Sequence, residues 1–304
     1  MTNELKRYYS DLREKNYRLW LRRVAECEAK DPRFRALNEE PGRVMQQAAA
    51  GKLSHVAAIS RLGQIEAERR NLLISLGFKS DYLDRIYTCP LCQDTGELVD
   101  SGKPCSCAMK KQQELMRSAS RINDHETFAN FNEAIYPNSE QKKQGLGMKR
   151  FCERYVAALP RPEKPNLLIL GQSGLGKSFF GNAIAYAAID KGVHTRKATA
   201  YQCIQDILNA LEAREDKLGT YLSAELLILD DLGTEPMVPN ITVETIFRIL
   251  NERAAALLPT VLISNLDREG LFERYGERVA SRMIDGALTS IVILRGDNLR
   301  TRTR

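Results

Sequence analysis

The eight residues Gly171-Gln172-Ser173-Gly174-Leu175-Gly176-Lys177-Ser178 constrain this chain more than any other stretch. They satisfy the pattern G-x-x-x-x-G-K-[ST] without a mismatch. An apolar run, Leu167-Leu168-Ile169-Leu170, precedes them, and a helical pattern of Ile184, Ala185, Ala188 and Ile189, stopped at Gly192, follows. Glycines so placed let a strand-to-helix turn wrap until consecutive backbone N–H groups point inward at the positive end of the helix dipole, which is a cradle for phosphate oxygens. In that pattern Lys177 bridges the β- and γ-phosphates and the Ser178 hydroxyl ligates Mg²⁺. A dinucleotide-binding turn would explain the glycines but not the Lys177-Ser178 pair.

From Thr127 onward, short apolar runs at 166–170, 193–198, 226–230, 260–264 and 290–294 alternate with helical patterns. Such alternation predicts an α/β fold with a parallel sheet covered on both faces. Pro160, Pro162 and Pro165 make a stiff lead-in to its first buried strand. The run Leu226-Leu227-Ile228-Leu229 reads as buried on both faces, yet it ends in Asp230-Asp231. Alone, an Asp-Asp pair often just starts a turn. About fifty residues after a phosphate loop, Asp230 is placed to hold Mg²⁺ and Asp231 to polarise an attacking water. Asn265 follows the strand-like run Thr260–Ser264, at the carboxyl end where ligands of parallel sheets collect. There it can hydrogen-bond a γ-phosphate or the nucleophilic water, or simply form the turn. Arg278 and Arg282 stand four apart and so share one helix face. Either is solvated, paired with Glu277 or Asp285, or offered to a neighbouring subunit to stabilise charge in phosphoryl transfer.

This set of motifs resembles the AAA+ ATPases and, within them, the DnaC/DnaI-type replicative helicase loaders and their IstB-like relatives, over roughly residues 127–304. The resemblance implies a P-loop AAA+ parallel-sheet ATPase domain that binds ATP and Mg²⁺. It implies that Asn265 is the sensor-1 residue and Arg282 an arginine finger acting in trans, with Arg278 its neighbour. In Asn298-Leu299-Arg300-Thr301-Arg302 it makes Arg300 the sensor-2 candidate, although Arg300, Arg302 and Arg304 also read as a basic solvated tail. Two departures stand out. Many AAA+ enzymes carry Glu where this chain has Asp231; one methylene less shortens the reach by about 1.5 Å, so hydrolysis is expected to be slow or assisted by Glu235. About forty residues follow Asn265, too few for a complete helical lid, so a reduced lid and closure by a neighbouring subunit are expected.

Ahead of this domain, residues 1–88 read as a helical, partner-binding region. Leu5, Tyr8, Tyr9, Leu12, Leu19, Trp20, Val24 and Cys27 recur at helical spacing, as do Leu53, Val56, Ile59, Leu62, Ile65, Leu72, Leu73 and Leu76. Asp31-Pro32 supplies a cap, Glu40-Pro41-Gly42 an interruption, and Gly77 a C-terminal stop. His55 reads as a structural or surface residue. Residues 89–126 form a second element, a cysteine module followed by a connecting helix at 110–121. Cys89-x-x-Cys92 and Cys105-x-Cys107 offer four thiolates brought together by turns at Asp94-Thr95-Gly96 and Ser101-Gly102, which suits tetrahedral Zn²⁺. Redox-active or disulfide-forming thiols are the alternative, and His125 a substitute ligand. The segment is poor in apolar residues, so metal binding would supply its folding energy. Cys27, Cys152 and Cys203 read as core thiols. A cysteine module ahead of an AAA+ domain resembles the DnaI side of the loaders.

With 304 residues, 43% apolar, 28% charged and a net charge of +6, the composition is that of a soluble globular protein with a mild basic bias. No apolar run approaches the ~20 residues of a membrane span. The polar opening Met1-Thr2-Asn3-Glu4 argues against a signal peptide, and a cytoplasmic location is expected. The resemblance implies an ATP-dependent loader that delivers a hexameric DnaB-type replicative helicase to single-stranded DNA and self-associates through its ATPase domain. The alternatives are an IstB-like transposition helper that binds DNA and a transposase, and a metal-dependent interaction module whose nucleotide site is only structural.

Overall fold

The Thr2 hydroxyl accepts the Leu5 amide and starts α1 (Asn3–Lys30) in the computed structural model, which describes residues 2–302. Met1 and Arg304 lie outside the described residues. Asp31 then turns the chain by accepting the Arg33 amide at 2.9 Å, and α2 (Arg33–Ala49) follows. The interruption expected at Glu40-Pro41-Gly42 does not occur, because α2 runs straight through Pro41. A helix-interior proline costs about 3 kcal/mol in lost bonding and crowding. Buried Phe34 and Val44, on either side of it, and the Glu40–Arg61 ion pair at 2.5 Å hold that turn in place. Ser54 caps α3 (His55–Ser75), which closes as a Schellman motif with Gly77 at φ +81°. The Gly77 amide reaches Ile74 O and the Phe78 amide reaches Leu73 O, both at 3.0 Å. Ile65, Leu72 and Leu73 are buried as the periodicity expects, but Val56 and Ile59 are 79% and 72% exposed. The start of α3 meets α2 only along a narrow line through Ala58 and Leu62, so these two side chains fall outside it.

These helices belong to a first compact unit, Met1–Met109; the second is Lys110–Arg304, and α4 (Ser106–Ala119) runs across the boundary. The connecting helix thus begins four residues earlier than the sequence pattern suggested.

In the second unit α5 (Ser139–Ala158) leads to β1 (Asn166–Leu170), α6 (Lys177–Asp190), β2 (Thr195–Thr199), α7 (Ala200–Ala213) and α8 (Leu218–Leu222). Next come β3 (Leu226–Leu232), α9 (Thr242–Ala255), β4 (Thr260–Ser264), α10 (Arg268–Tyr275), α11 (Glu277–Met283) and β5 (Thr289–Ile293). The strands form one parallel sheet in the order β2-β3-β4-β1-β5. β1 and β4 have their expected limits. β2 starts two residues late because Val193 still belongs to the exit of α6, its amide bonded to Ala188 O at 3.0 Å. β3 runs on through both aspartates to Leu232.

Side chains alternate across the strands, so Leu167, Ile169, Ile228 and Ile263 pack under α5 and α6. Leu168, Leu170, Leu227 and Leu229 pack with α9 and α11 on the other face. After β4 the described residues form α10, α11, β5 and a 3₁₀ turn (Leu299–Arg302). Among the described residues no helix is long and apolar enough to cross a membrane.

One side chain pairs with the main chain at the edge of each outer strand. At β2, Ser120 Oγ accepts the Lys197 amide at 3.2 Å and donates to Thr195 O at 3.4 Å. At β5, Gln144 accepts the Arg295 amide at 3.0 Å and donates to Ile293 O at 3.5 Å.

Arg253 of α9 is almost wholly buried, and its guanidinium donates to Tyr221 O, Ala224 O and Pro259 O at 3.0, 2.7 and 2.7 Å and to Thr260 Oγ1 at 2.9 Å. It thereby satisfies the Tyr221 and Ala224 carbonyls ahead of β3, and at the entrance to β4 it shares Pro259 O with the Leu227 amide of β3. Replacing Arg253 by Met keeps the bulk but strands those carbonyls, at about 3 kcal/mol. In a unit of this size that is a fall in Tm of about 6–12 °C, to be read by calorimetry.

Candidate functional site

The phosphate loop joins β1 to α6, as its sequence requires. Gly174 sits at φ +86°, and a Cβ there would lie 2.0 Å from Asn298 Oδ1, so this position needs glycine twice over. The Leu299 amide bonds Gly174 O at 2.9 Å, which seats the segment around Arg300 on the loop. Lys177 Nζ donates to Gly171 O and Gln172 O, both at 2.7 Å, and to Asn265 Oδ1 at 2.6 Å. Burial pushes its pKa down, opposed by the charges of Asp231 and Asp230.

Opposite lies the end of β3. Asp230 is buried; its Oδ1 accepts from Ser178 Oγ at 3.2 Å and from the Asp231 amide at 2.9 Å, while Oδ2 faces Lys197 Nζ at 4.0 Å. Burial raises its pKa, and Lys197 pulls in the other direction. The β3–β4 pairing slips between Leu229 and Leu232, where Asp231 takes a left-handed φ of +54°. That bulge re-aims Asp231 towards the loop.

A cavity of about 360 Å³ opens here. Ser173, Gly174, Gly176, Lys177, Ser178, Asp231, Asn265 and Arg300 all line it, so eight of the residues singled out in the sequence meet at one place. Its other wall was not legible in the sequence: Glu126, Asn130, Phe131 and Tyr136 come from the irregular segment before α5. Asn182 on α6 holds that wall, bonding Asn123 O at 2.7 Å and Glu126 O at 3.1 Å while accepting the Asn123 amide at 3.1 Å. The rings of Phe131, Phe179 and Phe180 pack together within 6.0 Å. The aromatic and amide-rich run at 127–132 was the available signal.

Three other expectations fare differently. Glu235 does not reach the cavity: its carboxylate is fully buried, accepting from Tyr275 Oη at 2.6 Å, the Gly233 amide at 2.9 Å and Arg274 Nε at 3.2 Å. It fixes α10 to the turn after β3. Arg278 and Arg282 share one face of α11 as expected, both over the ring of Phe247 at 3.6 and 4.4 Å, and neither lines their own chain's cavity. Arg278 faces Glu244 at 3.7 Å and Arg282 Nε bonds Asn251 at 3.2 Å, whereas the sequence had suggested Glu277 or Asp285.

In the first unit Cys89, Cys92, Cys105 and Cys107 converge, their sulfurs all within 4.8 Å of one another. Metal–sulfur arms of about 2.3 Å give tetrahedron edges of about 3.8 Å; Cys89–Cys105 is 3.8 Å and Cys92–Cys107 is 3.4 Å. The donor set and its spacing fit Zn²⁺. His125 is not part of the group. Asp94 organises the knuckle: its buried carboxylate accepts the Cys89 amide at 2.8 Å, the Thr88 amide at 3.0 Å and Asn16 Nδ2 of α1 at 2.8 Å. The Cys92 amide pulls the Cys89 thiol down to about 7, while burial pushes Cys107 up to about 12. Cys27, Cys152 and Cys203 are buried singly, and His55 is exposed.

A family model described as IstB-like ATP binding protein matches residues 96–304. The chain belongs to the IstB-like ATP binding protein family. Among curated proteins it is 30% identical over 146 residues to the ATP-binding protein of insertion sequence IS5376 from Geobacillus stearothermophilus, covering 46% of this chain and 57% of that protein. It is 26% identical over 203 residues to the replicative helicase loader DnaI of Bacillus subtilis, covering 63% of this chain and 64% of that protein. The alignments thus span less than two thirds of either relative. A crystal structure of DnaI superposes with a TM-score of 0.46 at 24% identity, over 62% of this chain and all of that one.

The match begins at Gly96, inside the cysteine module, so Cys105 and Cys107 fall within the IstB-like region and Cys89 and Cys92 before it. If all four thiols hold one zinc, chelation with excess EDTA at 37 °C releases about one equivalent per chain and exposes the knuckle to proteolysis. Asp94→Ala, which removes no ligand, weakens zinc retention about 10-fold or more, measured by competition with a chromogenic chelator.

Proposed function

We propose that this chain is an ATP-driven loader of a replicative helicase onto single-stranded DNA. The observation that carries the reading is the meeting of Lys177, Ser178, Asp231 and Asn265 in one cavity, in a chain whose other unit holds a four-thiol knuckle. Similarity to DnaI supports the choice of a helicase as partner. ATP would place its phosphates against the amides of 171–178. Lys177, released from Gly171 and Gln172, would turn to the β- and γ-phosphates, and Asn265 would follow the γ-phosphate.

Ser178 and Asp230 would hold Mg²⁺, which neutralises charge on the β- and γ-oxygens. Asp231 would orient the attacking water, and Arg300 would lie against the phosphates from the seated C-terminal segment. Arg282, outside its own chain's cavity, would complete a neighbour's site, with Arg278 beside it. Hydrolysis would then depend on assembly, and the first unit, with its zinc, would engage the hexameric DnaB-type helicase. The match to the insertion-sequence ATP-binding protein favours a second reading, a transposition helper that binds double-stranded DNA and a transposase.

Lys177→Ala should abolish ATP binding by calorimetry at millimolar nucleotide. Arg282→Ala should keep that binding within about twofold yet cut steady-state hydrolysis by about 10³-fold, the scale of an arginine finger. Mixing the two variants should restore part of the activity, since each supplies what the other lacks. Co-elution with a DnaB-type hexamer in ATP supports the loader; capture of a transposase instead, with a preference for duplex DNA, turns the reading to the helper.

A further inference from the structure

The first unit contains a second, larger cleft of about 870 Å³, which borders the zinc knuckle through Asp94 and Asn16 but holds none of the four cysteines. One wall is α1, where Tyr17 and Trp20 stand one turn apart with rings 5.9 Å apart and 19° from parallel. The indole N–H is spent on Leu83 O at 2.9 Å, which fixes the plane of the pair, while Tyr17 remains 58% exposed. An exposed, prearranged stack of this kind is a platform for another flat ring.

Guanidinium groups surround it. Arg85 lines the opposite wall and has no hydrogen bond or ion pair among the described residues. Arg69 pairs with Glu66 at 2.7 Å through one terminal nitrogen, but its Nε is buried without a partner. Arg13 holds Asp94 O at 2.8 Å and lines the same cleft. The acidic groups present are engaged: Asp94 by Asn16, Thr88 and Cys89, and Asp84 by Arg70 at 4.0 Å.

We propose that this cleft binds single-stranded nucleic acid, with a base stacked on Tyr17–Trp20 and the adjoining phosphates on Arg85, Arg69 and Arg13. A nucleotide joins in one ligand the flat face that the ring pair would take and the anion that the guanidinium groups would take. An acidic peptide would use the arginines and leave the ring face unmatched. The proposal gives the single-stranded DNA of the loader reading a site in the first unit, and it requires neither ATP nor helicase. Failure of helicase loading therefore leaves it standing, and its own failure leaves the ATPase reading standing.

Trp20 is the sole tryptophan of the sequence, so its emission reports on this cleft alone. The test titrates the full zinc-loaded chain, without ATP, with octathymidylate, with an abasic deoxyribose-phosphate strand of the same length, and with a glutamate-rich peptide of the same charge. Octathymidylate should quench Trp20, and the abasic strand should bind more weakly and quench less. Tyr17→Ala and Arg85→Ala, both at exposed positions, should each raise Kd about 5- to 100-fold. Arg85→Ala should also flatten the salt dependence by about 0.7 in log–log slope. Unchanged Trp20 emission on saturation, unchanged affinity in both variants, or binding of the peptide as tight as that of octathymidylate would each overturn the proposal.

Discussion

An ammonium and a carboxylate taken out of water at the same end of an apolar sheet set the terms for the second unit. Neither Lys177 nor Asp230 is tolerable there alone, because desolvation disfavours the charged form of each. Lys177 is satisfied by two loop carbonyls and Asn265, Asp230 by Ser178, a backbone amide and the approach of Lys197. Those partners come from β1, α6, β2 and β4, so the strands must be in register before the charges can be accommodated. The unbroken burial of Leu167–Leu170 and Leu226–Leu229 supplies that register, and the bulge at Asp231 is where regular pairing yields to the site.

The first unit meets the same difficulty by different means. Four sulfurs within 4.8 Å would repel one another as thiolates, and the short hairpin between the two cysteine pairs, closed by Leu98 N to Lys103 O at 2.8 Å and Cys105 N to Gly96 O at 2.9 Å, brings them together all the same. A divalent cation would resolve the repulsion. Asp94 ties the knuckle to α1 through Asn16, and α1 also carries the Tyr17–Trp20 stack. Metal retention and the shape of the large cleft are therefore linked through one carboxylate.

Features that declare themselves through chemistry at short range were legible in the sequence: the loop at 171–178, the two strands with unchanged limits, and the four spaced cysteines. What escaped depended on contacts distant in the chain. Pro41 looked like a helix end because local propensity ignores the buried anchors on either side of it. Glu235 looked available because nothing in the sequence reveals Tyr275 and Arg274 closing over it. Val56 and Ile59 followed a helical period, yet period alone does not say how much of a helix its neighbour covers. The aromatic wall at 126–136 has no periodicity, and its position depends on Asn182, some fifty residues further on.

Ser120 and Gln144 bear on how copies of this chain can meet. Each offers a main-chain edge the acceptor and donor that an incoming strand would bring, and so occupies the places where foreign backbone would pair. At those two places a strand from a second molecule finds the main chain already paired. A ladder running from one molecule into the next would first have to displace these two side chains, which biases the chain against edge-to-edge stacking.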